Sequence, residues 1–98
     1  MKDVLIKARN LISDPSKWCK KHTALDANGN AVSAHTSGAV QWCAMGACIR
    51  EGTNLLLCII PLDKAAKQLG YTNCADLNDE SNHETVMKMF DLAIGGDS

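Results

Sequence analysis

The sequence predicts a mainly α-helical single domain, a bundle of four to five helices around a central helix rich in small residues. Three observations carry that expectation. Apolar residues recur at helical spacing in stripes at 4–12, 55–69 and 86–94. Between the first two stripes lies a segment rich in Ala, Cys and Gly. Only Trp18, Trp42, Tyr71 and Phe90 are aromatic among the 98 residues, so aliphatic and small side chains must build the core. That length suits one core, and a hydrophobic fraction of 46% makes a folded chain the expectation rather than a disordered one.

The first stripe, Val4, Leu5, Ala8, Leu11 and Ile12, predicts a helix supported by Asp3 and Lys7 four apart. It stops before Ser13-Asp14-Pro15. Asp14 followed by Pro15 is a cap and first-turn pair, so a short second helix is expected to carry Trp18. Asn28-Gly29 is a turn signal, and the surrounding residues predict either a small β-hairpin near 23–33 or a plain loop, with at most two short strands. From about Ser37 to Arg50 the pattern predicts the central helix, apolar almost all the way round. Ala39, Cys43 and Ala47 form a row of small residues, with Gly46 beside it. Gly weakens a helix by about 1 kcal/mol relative to Ala, so Gly46 is expected where another backbone approaches closely; leucine there should cost more than alanine.

Gly52 is expected to end the central helix, and Thr53-Asn54 to cap the next. Leu55, Ile59, Leu62, Ala66 and Leu69 continue one stripe through Pro61 without a change of phase. A proline inside a helix costs about 3 kcal/mol, so the stripe predicts a kink or two helices in near register. A buried strand over 55–60 is the competing reading of the same residues. Gly70 closes this unit. Ser81-Asn82-His83-Glu84 matches a capping box, Val86, Met89, Phe90, Ala93 and Ile94 supply an apolar face, and Gly95-Gly96 ends the last helix.

With these elements placed, the chain resembles a family of short bacterial and phage-borne proteins known only as a domain of unknown function. The resemblance rests on Asp26-x-x-Gly29, then Ala39-Val40-x-Trp42-Cys43-x-x-Gly46-Ala47, and towards the end Leu77-Asn78-Asp79, Glu84-x-Val86 and Phe90-Asp91-x-Ala93-Ile94. It spans roughly residues 14–94. The family usually has Trp before Asn-Asp where this chain has Leu77, so a pocket built on that Trp would be altered here. The resemblance implies a helical fold and a cytosolic setting in bacteria or their phages, and it implies no activity.

The net charge of −1 hides an asymmetry: residues 1–49 carry six Lys/Arg and three acids (+3), residues 50–98 four and eight (−4). Met1-Lys2-Asp3-Val4-Leu5 carries an acid and leads into no sustained apolar stretch, so no secretory signal is expected. The longest strongly apolar run, Leu55 to Ile60, is too short for a membrane span. Five cysteines, an odd number without regular spacing, suit reduced thiols in the cytoplasm better than a disulfide framework.

Several chemistries can be weighed from the residues. Zinc would draw on Cys19-x-x-His22, His35, Cys43 and Cys48. Only the first two make a close pair, and positions 43 and 48 would lie about 140° apart around one helix. Asp26-x-Asn28-x-Asn30 imitates the start of a calcium loop, but Ala31 and Ser37 stand where Gly and Glu are needed. No metal and no cofactor are therefore expected. Nor is any cysteine or serine set in a nucleophile motif, and Gly95-Gly96 follows a helix rather than opening one.

Asn78-Asp79-Glu80 with His83 is the densest polar cluster; such groups can do acid–base work or simply start a helix. Lys17, Lys20 and Lys21 with Trp18 and His22 combine charge with a stacking ring, but a pI near 6.2 is unlike a nucleic-acid-binding domain. The expected function is a small protein-interaction module, phage- or prophage-borne if the resemblance holds and acting on a host protein. Its candidate binding residues are Lys17, Trp18, Lys20, Lys21 and His22, with Asn78, Asp79 and His83. The alternative is a small-ligand-binding protein or enzyme with a pocket near Asn78, Asp79 and His83. A weak nucleic-acid binder acting through Lys17–Lys21 is the third reading.

Overall fold

The computed structural model describes residues 2–52 and 55–95. Five α-helices, one 3-10 turn and three short strands follow one another among them. Helix α1 spans Lys2–Leu11, a 3-10 turn Pro15–Lys17, β1 Ala24–Asp26, β2 Ala31–Val32, β3 Ala39–Trp42, α2 Ala44–Glu51, α3 Leu56–Gln68, α4 Cys74–Glu80 and α5 His83–Gly95. The sheet is antiparallel in the order β2-β1-β3. The expected caps at Thr53-Asn54 and the closing Gly96 lie outside the described residues.

α1 forms as its stripe predicts: Leu5, Ala8 and Ile12 are fully buried, with Val4 and Leu11 at the edge. It packs on α2 and α5, and Arg9 of α1 reaches Asp91 of α5 at 2.7 Å. Asp14 caps the 3-10 turn by accepting the Ser16 N–H at 2.9 Å, with Pro15 in the first position. The hairpin is present. Its turn is held by Asp26, whose carboxylate accepts the N–H groups of Asn28 and Asn30 at 2.9 Å, while Gly29 takes a φ of +82°. Those donors hold the Asp26 carboxyl below its ordinary range.

The central helix is shorter than the sequence predicts, and the strands number three rather than two. Residues 39–42 form β3, pairing Ala24 with Trp42 and Leu25 with Gln41. The reason lies in the local pattern: Ala39 and Trp42 are buried while Val40 between them is exposed, and Val and Trp favour a pleated, half-buried surface. α2 begins only after Cys43, which stays extended (φ −79°, ψ 176°) and caps the helix by accepting the Gly46 N–H on its Sγ at 3.2 Å. The row Ala39, Cys43, Ala47 is thus divided among a strand, a cap and a helix.

α3 runs through Pro61 as one helix, neither divided in two nor replaced by a strand over 55–60. The hydrogen bond that Pro61 withholds is the one to Leu57, which lies on an exposed turn. Its buried face is Cys58, Leu62, Ala65 and Ala66, a little displaced from the expected stripe. α4 is a further short helix, capped by Asn73, which accepts the Asp76 N–H at 2.8 Å. It carries Asn78 and Asp79. α5 is capped by Asn82 rather than Ser81: Asn82 Oδ1 accepts the Thr85 N–H at 2.8 Å, while the Ser81 hydroxyl turns back to the Leu77 carbonyl. Phe90, Met89 and Val86 of α5 then close one continuous core with Leu5, Ile12, Leu62 and Leu77.

Gly46 is the close approach that the sequence predicts. A Cβ there would stand 1.9 Å from the backbone oxygen of Thr23, which already accepts the Cys43 N–H. The first added carbon carries the clash, so alanine is not the mild change that helix propensity suggests. Gly46→Ala should destabilise the protein by roughly 3 kcal/mol in urea unfolding. Gly38→Ala, whose Cβ would meet nothing within 4 Å, should shift it by less than about 0.5 kcal/mol.

Candidate functional site

Asn78 is the one fully buried polar side chain among the described residues, 2% exposed. A primary amide offers two acceptor sites and two N–H donors, and here all four are used. Its Oδ1 accepts the Trp18 indole N–H at 2.7 Å and the Ala44 backbone N–H at 3.0 Å. Its Nδ2 donates to the Cys19 carbonyl at 3.1 Å and to Asp79 Oδ1 at 3.2 Å. Ala44 is the first residue of α2, so Asn78 satisfies from another helix an N–H that α2 cannot satisfy itself. One side chain therefore ties the segment after the 3-10 turn, α2 and α4 to each other.

The neighbouring groups complete this joint. Asp79 Oδ1 accepts the Lys21 N–H at 2.7 Å, and Lys21 adopts a φ of +68°, a left-handed conformation that side-chain-bearing residues seldom take. The Cys19 N–H donates to the Trp42 carbonyl at 3.1 Å, laying the chain at Trp18 and Cys19 along the outer edge of β3. His83 meets the Trp18 ring edge-on at 5.8 Å between centroids, and its Nε2 lies 2.7 Å from the Ile12 carbonyl, so that nitrogen carries the hydrogen. The Lys20 ammonium stands 5.6 Å above the Trp18 ring.

Beside the joint, α2 and α4 part to leave an open hollow of about 170 Å³. Its floor is Cys43, Met45 and Ile49 of the α2 segment with Ala75, Asn78 and Asp79 of α4; Lys21, His22 and Thr23 form the rim. A second hollow of about 220 Å³ adjoins it, sharing Met45 and Ala75 and running on to Ile59, Asp63 and Asn73. The two adjoining hollows, taken here as one groove, have Met45, Ile49, Ile59 and Ala75 as apolar lining and Asp63, Asn73, Asn78 and Asp79 as polar lining.

The structure thus brings Trp18, Lys20, Lys21, Asn78, Asp79 and His83 to one corner, with different parts to play. Trp18 and Asn78 are joined to each other. Lys21, His22, Asn78 and Asp79 border the groove, whereas His83 lies against Trp18 and lines neither hollow. Lys17 is exposed on the 3-10 turn and borders a separate, open depression with Asp26, Val40 and Gln41. Leu77, just before Asn78 and Asp79, is fully buried in the core and borders none of these hollows. Met45, Ile49 and Ala75 were not among the candidate binding residues that the sequence singled out, and Cys43 was weighed only as a zinc ligand and a small packing residue, because an apolar residue on a groove floor has the same spacing as one in the core.

The chemistry open to this arrangement is limited by its thiols. Burial pushes Cys19 up to about 12 and Cys74 up to about 12 from an ordinary 9.0. Burial also raises Cys48, Cys58 and, against the Gly46 N–H that favours its thiolate, Cys43. All five cysteines are free thiols and protonated near neutral pH, which disfavours resting nucleophiles. Among the described residues no three His, Cys, Asp or Glu side chains converge as a metal site would require. No described helix is long and apolar enough to cross a membrane.

Fold and groove define a class: a small, mainly helical domain with a three-stranded antiparallel sheet and an open groove between two helices. The chain belongs to a family of unknown function, DUF6197, whose model matches residues 1–95, a wider span than the motifs alone suggest. No curated protein and no solved structure matches it.

The raised thiols give a pH dependence with a definite sign. The folded chain holds thiol protons that the unfolded chain releases above about pH 9, so this stability is complete below that value and is lost as pH rises towards 12. Urea unfolding at about pH 8 and about pH 10 should show the decline, and Cys74→Ser should make it shallower.

Proposed function

We propose that this protein is a small interaction module that receives a segment of another protein in the groove between α2 and α4. The observation that carries the reading is that two hollows adjoin, with Met45 and Ala75 lining both. Both hollows are open to solvent, whereas a small-molecule pocket encloses most of its ligand. A shallow apolar trough with a polar rim suits an extended or helical segment that lays a few side chains along it. The five free thiols support a reducing, cytoplasmic setting. A phage- or prophage-borne role against a host protein agrees with the family resemblance and remains part of the proposal.

Small-ligand binding or catalysis at Asn78, Asp79 and His83 has less support. His83 lies away from the groove, and the Asn78 amide has no hydrogen-bonding capacity left for a ligand. Nucleic-acid binding through Lys17–Lys21 is weakened because Lys17 and Lys21 border different hollows and Lys20 borders neither.

Photo-cross-linking in cells that carry the gene tests the proposal. p-Benzoylphenylalanine in place of Met45 should give a discrete cross-linked protein, and the same group in place of Lys88, which lines neither hollow, should not. Cross-links from position 88 with none from position 45 would place the interface elsewhere.

A further inference from the structure

The charged residues along the groove are few, and they are unevenly placed. In the first hollow one base and one acid, Lys21 and Asp79, offset each other in sign. In the second, Asp63 of α3 is the one charged residue among the described lining residues. The two hollows together carry two carboxylates against one ammonium group, and the excess negative charge lies at the α3 end.

Asp63 is half-buried. It accepts the Cys74 N–H at 2.8 Å, and the Cys74 thiol donates to it as well. A carboxylate offers about four lone-pair positions and keeps its charge when hydrogen-bonded, so Cys74 leaves about half of them unused. No cation of the described residues answers it. Lys64 and Lys67 of the same helix are exposed, line neither hollow and form no ion pair with it. Beside it lies apolar lining: Ile59 one turn earlier on α3, then Met45 and Ala75, which both hollows share. A half-buried carboxylate next to an apolar strip, with no counter-ion, is complementary to a cation carried on an aliphatic stem.

Resting on the docking reading above, we infer that the segment received in the groove is basic and apolar, with a lysine or arginine side chain set against Asp63. An aliphatic side chain of the same segment covers Met45 and Ala75. An acidic segment would meet an unbalanced carboxylate at that end. The apolar lining supplies area without direction, and Asp63 supplies the sign.

Three synthetic hexapeptides, acetylated and amidated at their ends, test this by amide chemical-shift titration of the isotope-labelled full chain. They are Lys-Lys-Leu-Leu-Lys-Lys, Glu-Glu-Leu-Leu-Glu-Glu and Lys-Lys-Ser-Ser-Lys-Lys. The first should shift the amides of Met45, Ile59, Asp63, Cys74 and Ala75, and the other two should bind at least about fivefold more weakly. Raising salt from about 0.05 M to about 0.5 M should weaken the first. Asp63→Asn keeps an oxygen for the Cys74 N–H and removes the charge. It should hold its urea midpoint and bind the lysine–leucine peptide about fivefold more weakly. Glu80→Gln, on α4 but lining neither hollow, should bind that peptide as the unaltered chain does. Equal or tighter binding of the glutamate peptide would refute the selection of bases, while groove shifts left the docking reading standing. Equal binding of the serine peptide would refute the aliphatic anchor. Full binding by Asp63→Asn, or an equal loss in Glu80→Gln, would refute Asp63 as the seat of the cation. If no peptide shifts the groove amides, the basic-segment inference falls, and cross-linking from position 45 decides separately whether the groove docks a protein.

Discussion

A single buried amide sets the geometry of the half of the molecule that bears the groove. Asn78 meets an indole N–H, a helix-start N–H, a backbone carbonyl and a carboxylate, drawn from three stretches of chain. Each of those groups, left unpaired in the interior, would cost about 1–3 kcal/mol. Because the amide has exactly as many bonding positions as partners, none of the three stretches can shift without breaking a bond that the interior cannot replace. No buried side-chain nitrogen or oxygen among the described residues lacks a partner. The joint is therefore satisfied as well as crowded.

The groove is a consequence of that joint. α2 enters between a carbonyl and an amide: the Thr23 oxygen allows only a glycine at position 46, and Asn78 receives the first N–H of the helix. α4 enters beside it because Asp63 of α3 accepts its Cys74 N–H. With both helix starts fixed, the side chains between them, Met45, Ile49 and Ala75, cannot close over one another and stay open to solvent. The same joint directs the basic turn, since Asp79 bonds both Asn78 and Lys21.

The fold was legible in the sequence where a periodic stripe met an ordinary cap. α1 and α5 have their expected faces, and Asn28-Gly29 lies in the turn of the hairpin. It was less legible where a cap was of an unusual kind. Cysteine seldom starts a helix, so nothing at Cys43 marked the change from strand to helix, and the small residues on either side suited one long helix. α3 keeps Pro61 because the lost bond falls on an exposed turn, a tertiary fact that periodicity does not contain. Asn78 and Asp79 were noticed as a polar cluster, but the bond from Asn78 to Trp18 joins residues sixty positions apart, beyond any local pattern. The floor residues were invisible for a related reason: Met45 and Ala75 have the spacing of core residues and differ only in what does not cover them.

The amide at position 78 is the most direct place to measure the account. Asn78→Ala removes all four bonds at once and strands the Trp18 indole N–H and the Ala44 N–H. The account predicts a loss on the order of 3 kcal/mol or more in urea unfolding, together with lost hydrogen-exchange protection at Ala44 and an altered Trp18 environment. A loss below about 0.5 kcal/mol, with Ala44 still protected, would show that packing alone holds the three stretches together and would contradict the account.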